Sequence, residues 1–136
     1  MRRLLLVEDE LNERFTLSRL LEAAGYEVVA LPDASKAMGV LGEGDWYALI
    51  TDVMMPGTDG LTLAREVARV MPGFPIVLTS AFHLCAAQLD RLNISPLHFI
   101  DKPMELPRLL EVLEHPAACG RPRAAPSLPL PCLEER

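Results

Sequence analysis

Residues 4–10 read Leu4-Leu5-Leu6-Val7-Glu8-Asp9-Glu10, an unbroken apolar run that stops abruptly in three acids. A strand with one wet face alternates apolar and polar side chains, whereas a strand covered on both faces is apolar throughout. The run therefore predicts a strand buried between two layers, with its carboxyl end delivering Glu8 and Asp9 to an edge. The same form returns downstream. Tyr47-Ala48-Leu49-Ile50-Thr51 ends in Asp52, and Ile76-Val77-Leu78 closes at Thr79. The shorter Val28-Val29-Ala30 and His98-Phe99-Ile100 complete a set of five.

Helical patterns separate these runs. Leu17, Leu20, Leu21 and Ala24 lie at i, i+3, i+4 and i+7, one apolar face, with Gly25 positioned to end the helix. Asp33 is placed to cap a short helix running to about Leu41. Met54-Met55-Pro56-Gly57-Thr58-Asp59-Gly60 is loop chemistry, followed by a stripe of Leu61, Ala64, Ala68 and Met71 that Pro72-Gly73 ends. A weaker helical stretch runs from about Cys85 to Leu92. The last helix carries Leu106, Leu109, Leu110 and Leu113, with Pro107 tolerated in its first turn. Strands alternating with helices imply right-handed crossovers. The expected fold is α/β, a doubly wound five-stranded parallel sheet of flavodoxin-like order 2-1-3-4-5 with helices on both faces. It occupies residues 1–115. Pro116, Pro122, Pro126, Pro129 and Pro131 then mark residues 116–136 as a Pro-rich flexible tail.

The chain has 136 residues, enough for one domain with its own core. Its net charge of -6 argues against general nucleic-acid binding, which needs a basic counter-surface. The three cysteines, Cys85, Cys119 and Cys132, show no paired or metal-ligand spacing and read as reduced thiols. The opening apolar run ends too early for a signal peptide, and no stretch is long enough to span a bilayer. A soluble, cytoplasmic protein with no membrane partner is expected.

The charged residues are the informative ones. Glu8 and Asp9 follow the first strand, Asp52 ends the third, Thr79 ends the fourth and Lys102 follows the fifth. In a parallel sheet those ends share one edge, and ligands bind there where the strand order reverses. Taken alone, each acidic residue reads as a helix cap or a solvated turn, Thr79 as an ordinary strand-end residue and Lys102 as a surface charge; the joint pattern is what carries the argument. Converging carboxylates repel unless a cation neutralises them, and an all-oxygen set suits Mg²⁺. One carboxylate is then free to act as a nucleophile toward phosphorus, with Lys102 and Thr79 pairing with phosphoryl oxygens.

Val7-Glu8-Asp9-Glu10, Asp52-Val53-Met54-Met55-Pro56-Gly57-Thr58-Asp59-Gly60, Leu78-Thr79-Ser80-Ala81 and Phe99-Ile100-Asp101-Lys102-Pro103 together resemble the receiver domains of response regulators in two-component signalling. The resemblance covers about residues 1–115. It implies that Asp52 is the phosphoacceptor and Asp9 the direct Mg²⁺ ligand, with Glu8 acting mainly through water and the Met54 backbone carbonyl as a further ligand. It makes Thr79 and Lys102 the phosphate-sensing pair and Phe99 the switch aromatic that turns inward when Thr79 moves. Read without the resemblance, Phe99 is equally a core aromatic. Lys102-Pro103 resembles the family's cis peptide. The implied partners are a sensor histidine kinase or histidine phosphotransfer protein and a downstream target protein. A dimer formed on phosphorylation is also allowed.

The chain departs from the family after Ala81. Phe82-His83-Leu84-Cys85 and Asn93-Ile94-Ser95-Pro96-Leu97-His98 replace the usual sequence, and Pro96 disfavours helix at Ser95. That puts the surface through which such domains commonly meet partners in doubt. The leading expectation is a phospho-switch whose output is a protein contact and whose only chemistry is its own phosphorylation and dephosphorylation. The alternatives are the receiver portion of a DNA-binding transcription factor and a phosphorylation-independent scaffold. A Mg²⁺-dependent hydrolase is disfavoured because no cap or deep pocket is legible.

Overall fold

A computed structural model describes residues 2–53, 60–80, 97–101 and 106–114. Within them β1 (Arg3–Val7), β2 (Glu27–Leu31), β3 (Ala48–Asp52), β4 (Ile76–Ser80) and β5 (Leu97–Asp101) pair in parallel in the order β2-β1-β3-β4-β5. The expected strand order is the observed one, with the reversal falling between β1 and β3.

Four helices are described: α1 (Leu11–Ala23), α2 (Ala37–Leu41), α3 (Gly60–Val70) and α4 (Leu106–Glu114). Each strand supplies both faces of the sheet, because successive side chains point opposite ways. Leu5 and Val7 of β1 join a cluster with Ala37 and Leu41 of α2 and Leu63, Ala64 and Val67 of α3. Leu4 and Leu6 join the other, with Leu21 of α1 and Leu109, Val112 and Leu113 of α4. Residues 4–7 are at most 1% exposed, so the apolar run is spent evenly on two cores. Each such side chain contributes about 1.5–3 kcal/mol through burial.

Three local expectations need correction. On α1 only Leu21 is fully buried, with Leu17 packed beside it; Leu20 and Ala24 face solvent. The helix meets the sheet along Leu17 and Leu21, one turn apart, so the i+3 flank turns outward. Asp33 does not cap a helix. Its Oδ1 accepts from the Ser35 backbone N–H at 2.9 Å and the Ser35 hydroxyl at 2.6 Å, closing a local turn. The helix starts after it, at Ala37, with no side-chain cap. On α3 the buried stripe is Gly60, Leu63, Ala64 and Val67, leaving Leu61, Ala68 and Met71 packed only partly against the core.

Gly25 does end α1. At φ +104° it occupies the left-handed region, its N–H bonds Glu22 O, and Tyr26 N–H reaches back to Leu21 O. The Cys85–Leu92 helix, the loop 54–59, Met54, Lys102, Pro103 and the tail beyond residue 114 lie outside the described residues. No helix among the described residues is long and apolar enough to cross a membrane.

Candidate functional site

Parallel pairing brings the carboxyl ends of all five strands to one edge. β1 runs into Glu8 and Asp9, β3 ends on Asp52, and β4 ends on Thr79 and Ser80. One carboxylate oxygen from each of Glu8, Asp9 and Asp52 lies within 4.8 Å of the others. Glu8 is 2% and Asp52 7% exposed, while Asp9 faces solvent. Asp52 and Thr79 are direct register partners across β3 and β4, and Val53 N–H donates to Thr79 O at 2.8 Å. The site thus combines two sheltered carboxylates, one open carboxylate and a buried hydroxyl-bearing residue on the neighbouring strand.

The turn carrying Glu8 and Asp9 is tied down on every side. Glu8 N–H continues the β2 ladder to Leu31 O at 3.1 Å. Its Oε2 accepts from Glu10 N–H at 3.3 Å, and Glu10 caps α1 by accepting from Glu13 N–H at 2.8 Å. Arg14 reaches back from α1 and donates from Nη1 to Glu8 O at 2.9 Å. Beneath Asp52, Thr51 Oγ1 donates to the Asp52 carbonyl at 3.1 Å, and Gly60 N–H, first of α3, donates to Val53 O at 2.8 Å.

Gathering three carboxylates this closely is unfavourable by itself. Two full charges about 5 Å apart repel by on the order of 3 kcal/mol at a typical effective dielectric, less where one is solvated, as Asp9 is. A hard divalent cation removes that cost and accepts an all-oxygen set with water in the remaining positions. The residues present fit Mg²⁺: oxygen donors only, one of them open to solvent.

Of the residues singled out from the sequence, Glu8, Asp9 and Asp52 converge and Thr79 stands beside them. Phe99 is 5% exposed and already inside, within the cluster on the α2 and α3 face and in register with Leu78. Met54, Lys102 and Pro103 lie outside the described residues. Two contributors were missed. Gly60 reads in sequence as loop chemistry, although a glycine that opens a helix is a sign of close backbone approach. Arg14 carries no sign in the local sequence that it turns back six residues.

Residues 4–114 match the profile of a family described as response regulator receiver domain. The chain is 32% identical over 114 residues to the response regulator receiver protein CpdR of Brucella abortus, covering 84% of this chain and 95% of that one. It is 26% identical over 118 residues to the transcriptional regulatory protein FixJ of Bradyrhizobium diazoefficiens, covering 87% of this chain and 58% of that one. Among solved structures it resembles the response regulator TrrA of Thermotoga maritima, crystallised in complex with Mg²⁺ and beryllium fluoride. That match has a TM-score of 0.75 at 27% identity, covering 84% of this chain and 97% of the other.

Proposed function

This chain belongs to the response regulator receiver family, and on that premise we propose that Asp52 accepts a phosphoryl group from the phosphohistidine of a partner protein. The observation that carries the reading is the approach of Glu8, Asp9 and Asp52 to within 4.8 Å at the point where the strand order reverses. Asp52 is the nucleophile: its Oδ attacks phosphorus, the P–N bond breaks, and the imidazole nitrogen keeps the electron pair. Asp9, open to solvent, and Asp52 would hold Mg²⁺, with Glu8 and the Met54 carbonyl as the further residues that the family resemblance assigns to it. Bound there, Mg²⁺ supplies charge neutralisation for the incoming phosphoryl oxygens. Thr79 and Lys102 take two of those oxygens, and hydrolysis of the acyl phosphate returns Asp52 to its starting state. The work is done on the protein's own side chain.

The output is a contact with a downstream protein. Phe99 is already enclosed, so its part in the switch is to hold the inward position once Thr79 is drawn to the phosphate. A second reading, the receiver portion of a transcription factor, is favoured by the similarity to FixJ, of which the chain spans 58%.

The test is intact mass after incubation with Mg²⁺ and acetyl phosphate. A single added phosphoryl group is expected in the wild type and none in Asp52→Asn or in EDTA. A folded wild type that takes up nothing overturns the proposal in favour of a phosphorylation-independent scaffold.

A further inference from the structure

Backbone N–H groups, carboxylates and one cationic side chain shape the turn between β1 and α1. The Glu8 carbonyl is held by the Arg14 guanidinium, whose Nη1 lies 2.9 Å away. Arg14 stands on the first turns of α1, where its own N–H bonds Glu10 O at 2.9 Å. The residue therefore grips the turn at both ends: by its backbone at Glu10 and by its side chain at Glu8. Between those two points lies Asp9, the solvent-facing carboxylate of the cluster. The side chain is half-buried, so the bond is partly sheltered from competing water, and a charged donor makes it stronger than a neutral one.

We infer that Arg14 is a positioning residue for the metal site. It holds the Glu8–Glu10 turn in the arrangement that aims Glu8 and Asp9 at Asp52, before any cation arrives. The inference rests on the reading of the acidic cluster as a Mg²⁺ site. Two effects of the guanidinium oppose each other there. As a fixed positive charge it repels a divalent cation; as an anchor it spares the cation the work of ordering the turn. The geometry favours the anchor, because the bond that the guanidinium makes is to the Glu8 carbonyl. Groups that orient metal ligands typically affect affinity by ten- to a hundredfold.

The two effects predict opposite signs. Mg²⁺ is titrated calorimetrically into the metal-free chain and into Arg14→Ala and Arg14→Lys. Backbone amide exchange of Glu10 is followed in parallel by NMR without metal. If Arg14 positions the turn, Arg14→Ala binds Mg²⁺ roughly tenfold more weakly and Glu10 N–H exchanges faster, while Arg14→Lys recovers part of both. Unchanged or tighter Mg²⁺ binding by Arg14→Ala, with Glu10 exchange unaltered, overturns the inference. Absence of Mg²⁺ binding by the wild type sinks the metal reading instead. The Glu10 exchange rate then decides alone whether Arg14 orders the turn.

Discussion

Gly60 is packed directly onto the main chain of Asp52. A methyl group built on its Cα would stand 2.8 Å from the Asp52 carbonyl carbon and 2.9 Å from Val53 Cα. Both neighbours are backbone at the carboxyl end of the central strand, not the far end of a flexible side chain, and cannot step aside cheaply. The absent side chain is what allows α3 to begin against the residue that ends β3, with Gly60 N–H closing onto Val53 O.

Gly60→Ala is therefore expected to destabilise the chain by about 1–3 kcal/mol or more through overpacking. Gly39 in α2 is the matched control, since nothing lies within 4 Å of a methyl group there. Gly39→Ala is expected to be neutral or to stabilise by up to about 1 kcal/mol, as an alanine in a helix should. Urea denaturation of the two variants measures the contrast. Equal midpoints would remove the argument for close packing at Gly60.

Clustered carboxylates cost stability when no cation is bound. Asp52→Asn removes one of the two sheltered charges, and its melting temperature in EDTA is expected to exceed the wild type's by several degrees. Differential scanning calorimetry in EDTA reads this directly. A fall would mean that Asp52 is held by partners that need its charge more than its neighbours resent it.

Addition of Mg²⁺ should reverse that order. At about a hundredfold excess over Kd the wild type gains about 2.7 kcal/mol, a rise of roughly 10 °C in melting temperature. Asp9→Asn, lacking the solvent-facing carboxylate, is expected to lose most of that gain while melting normally in EDTA. A full Mg²⁺ response in Asp9→Asn would assign the cation to other residues.

At the opposite edge of the sheet, burial pushes the Tyr26 phenol above its ordinary pKa, and the Glu114 carboxylate, 3.4 Å from its hydroxyl, adds to the shift. Tyr26 thus favours the folded state fully while both states carry a neutral phenol, below about pH 10. The unfolded chain ionises first as pH rises, and the contribution is lost as pH climbs through the raised folded pKa. The stability gap between wild type and Tyr26→Phe is expected to narrow as pH rises above about 10. Urea midpoints across that range check it; a constant gap would show that the phenol titrates alike in both states.

Much of this arrangement was legible because β1 and β3 are buried on both faces and announce themselves as continuous apolar runs. Once five such runs alternate with helices, handedness and strand order leave one edge for Glu8, Asp9, Asp52 and Thr79. What the pattern could not settle is rotation. Leu20 satisfies the same helical period as Leu21, yet only Leu21 meets the sheet, since the contact line depends on how α1 leaves the Glu8–Glu10 turn. Asp33 has the chemistry of a helix cap and of a turn alike, and Ser35 two residues on decides for the turn. Arg14 and Gly60 escaped notice for a common reason. Each acts on a backbone atom brought near only by folding, and a main-chain partner leaves no signature in composition.

The two-sided burial of the sheet has a further consequence. In a half-wet sheet a slip of one residue in strand pairing exposes the apolar side and is corrected by hydration. Here Leu4, Leu5, Leu6 and Val7 serve one core as well as the other, so the apolar residues themselves barely distinguish correct pairing from a slipped one. Discrimination falls to the polar residues at the ends. Sliding β3 by one step relative to β1 would carry Asp52 away from its place beside Thr79 and draw a charge toward the dry interior. The polar residues gathered at this edge also act as alignment marks, telling each strand where to stop.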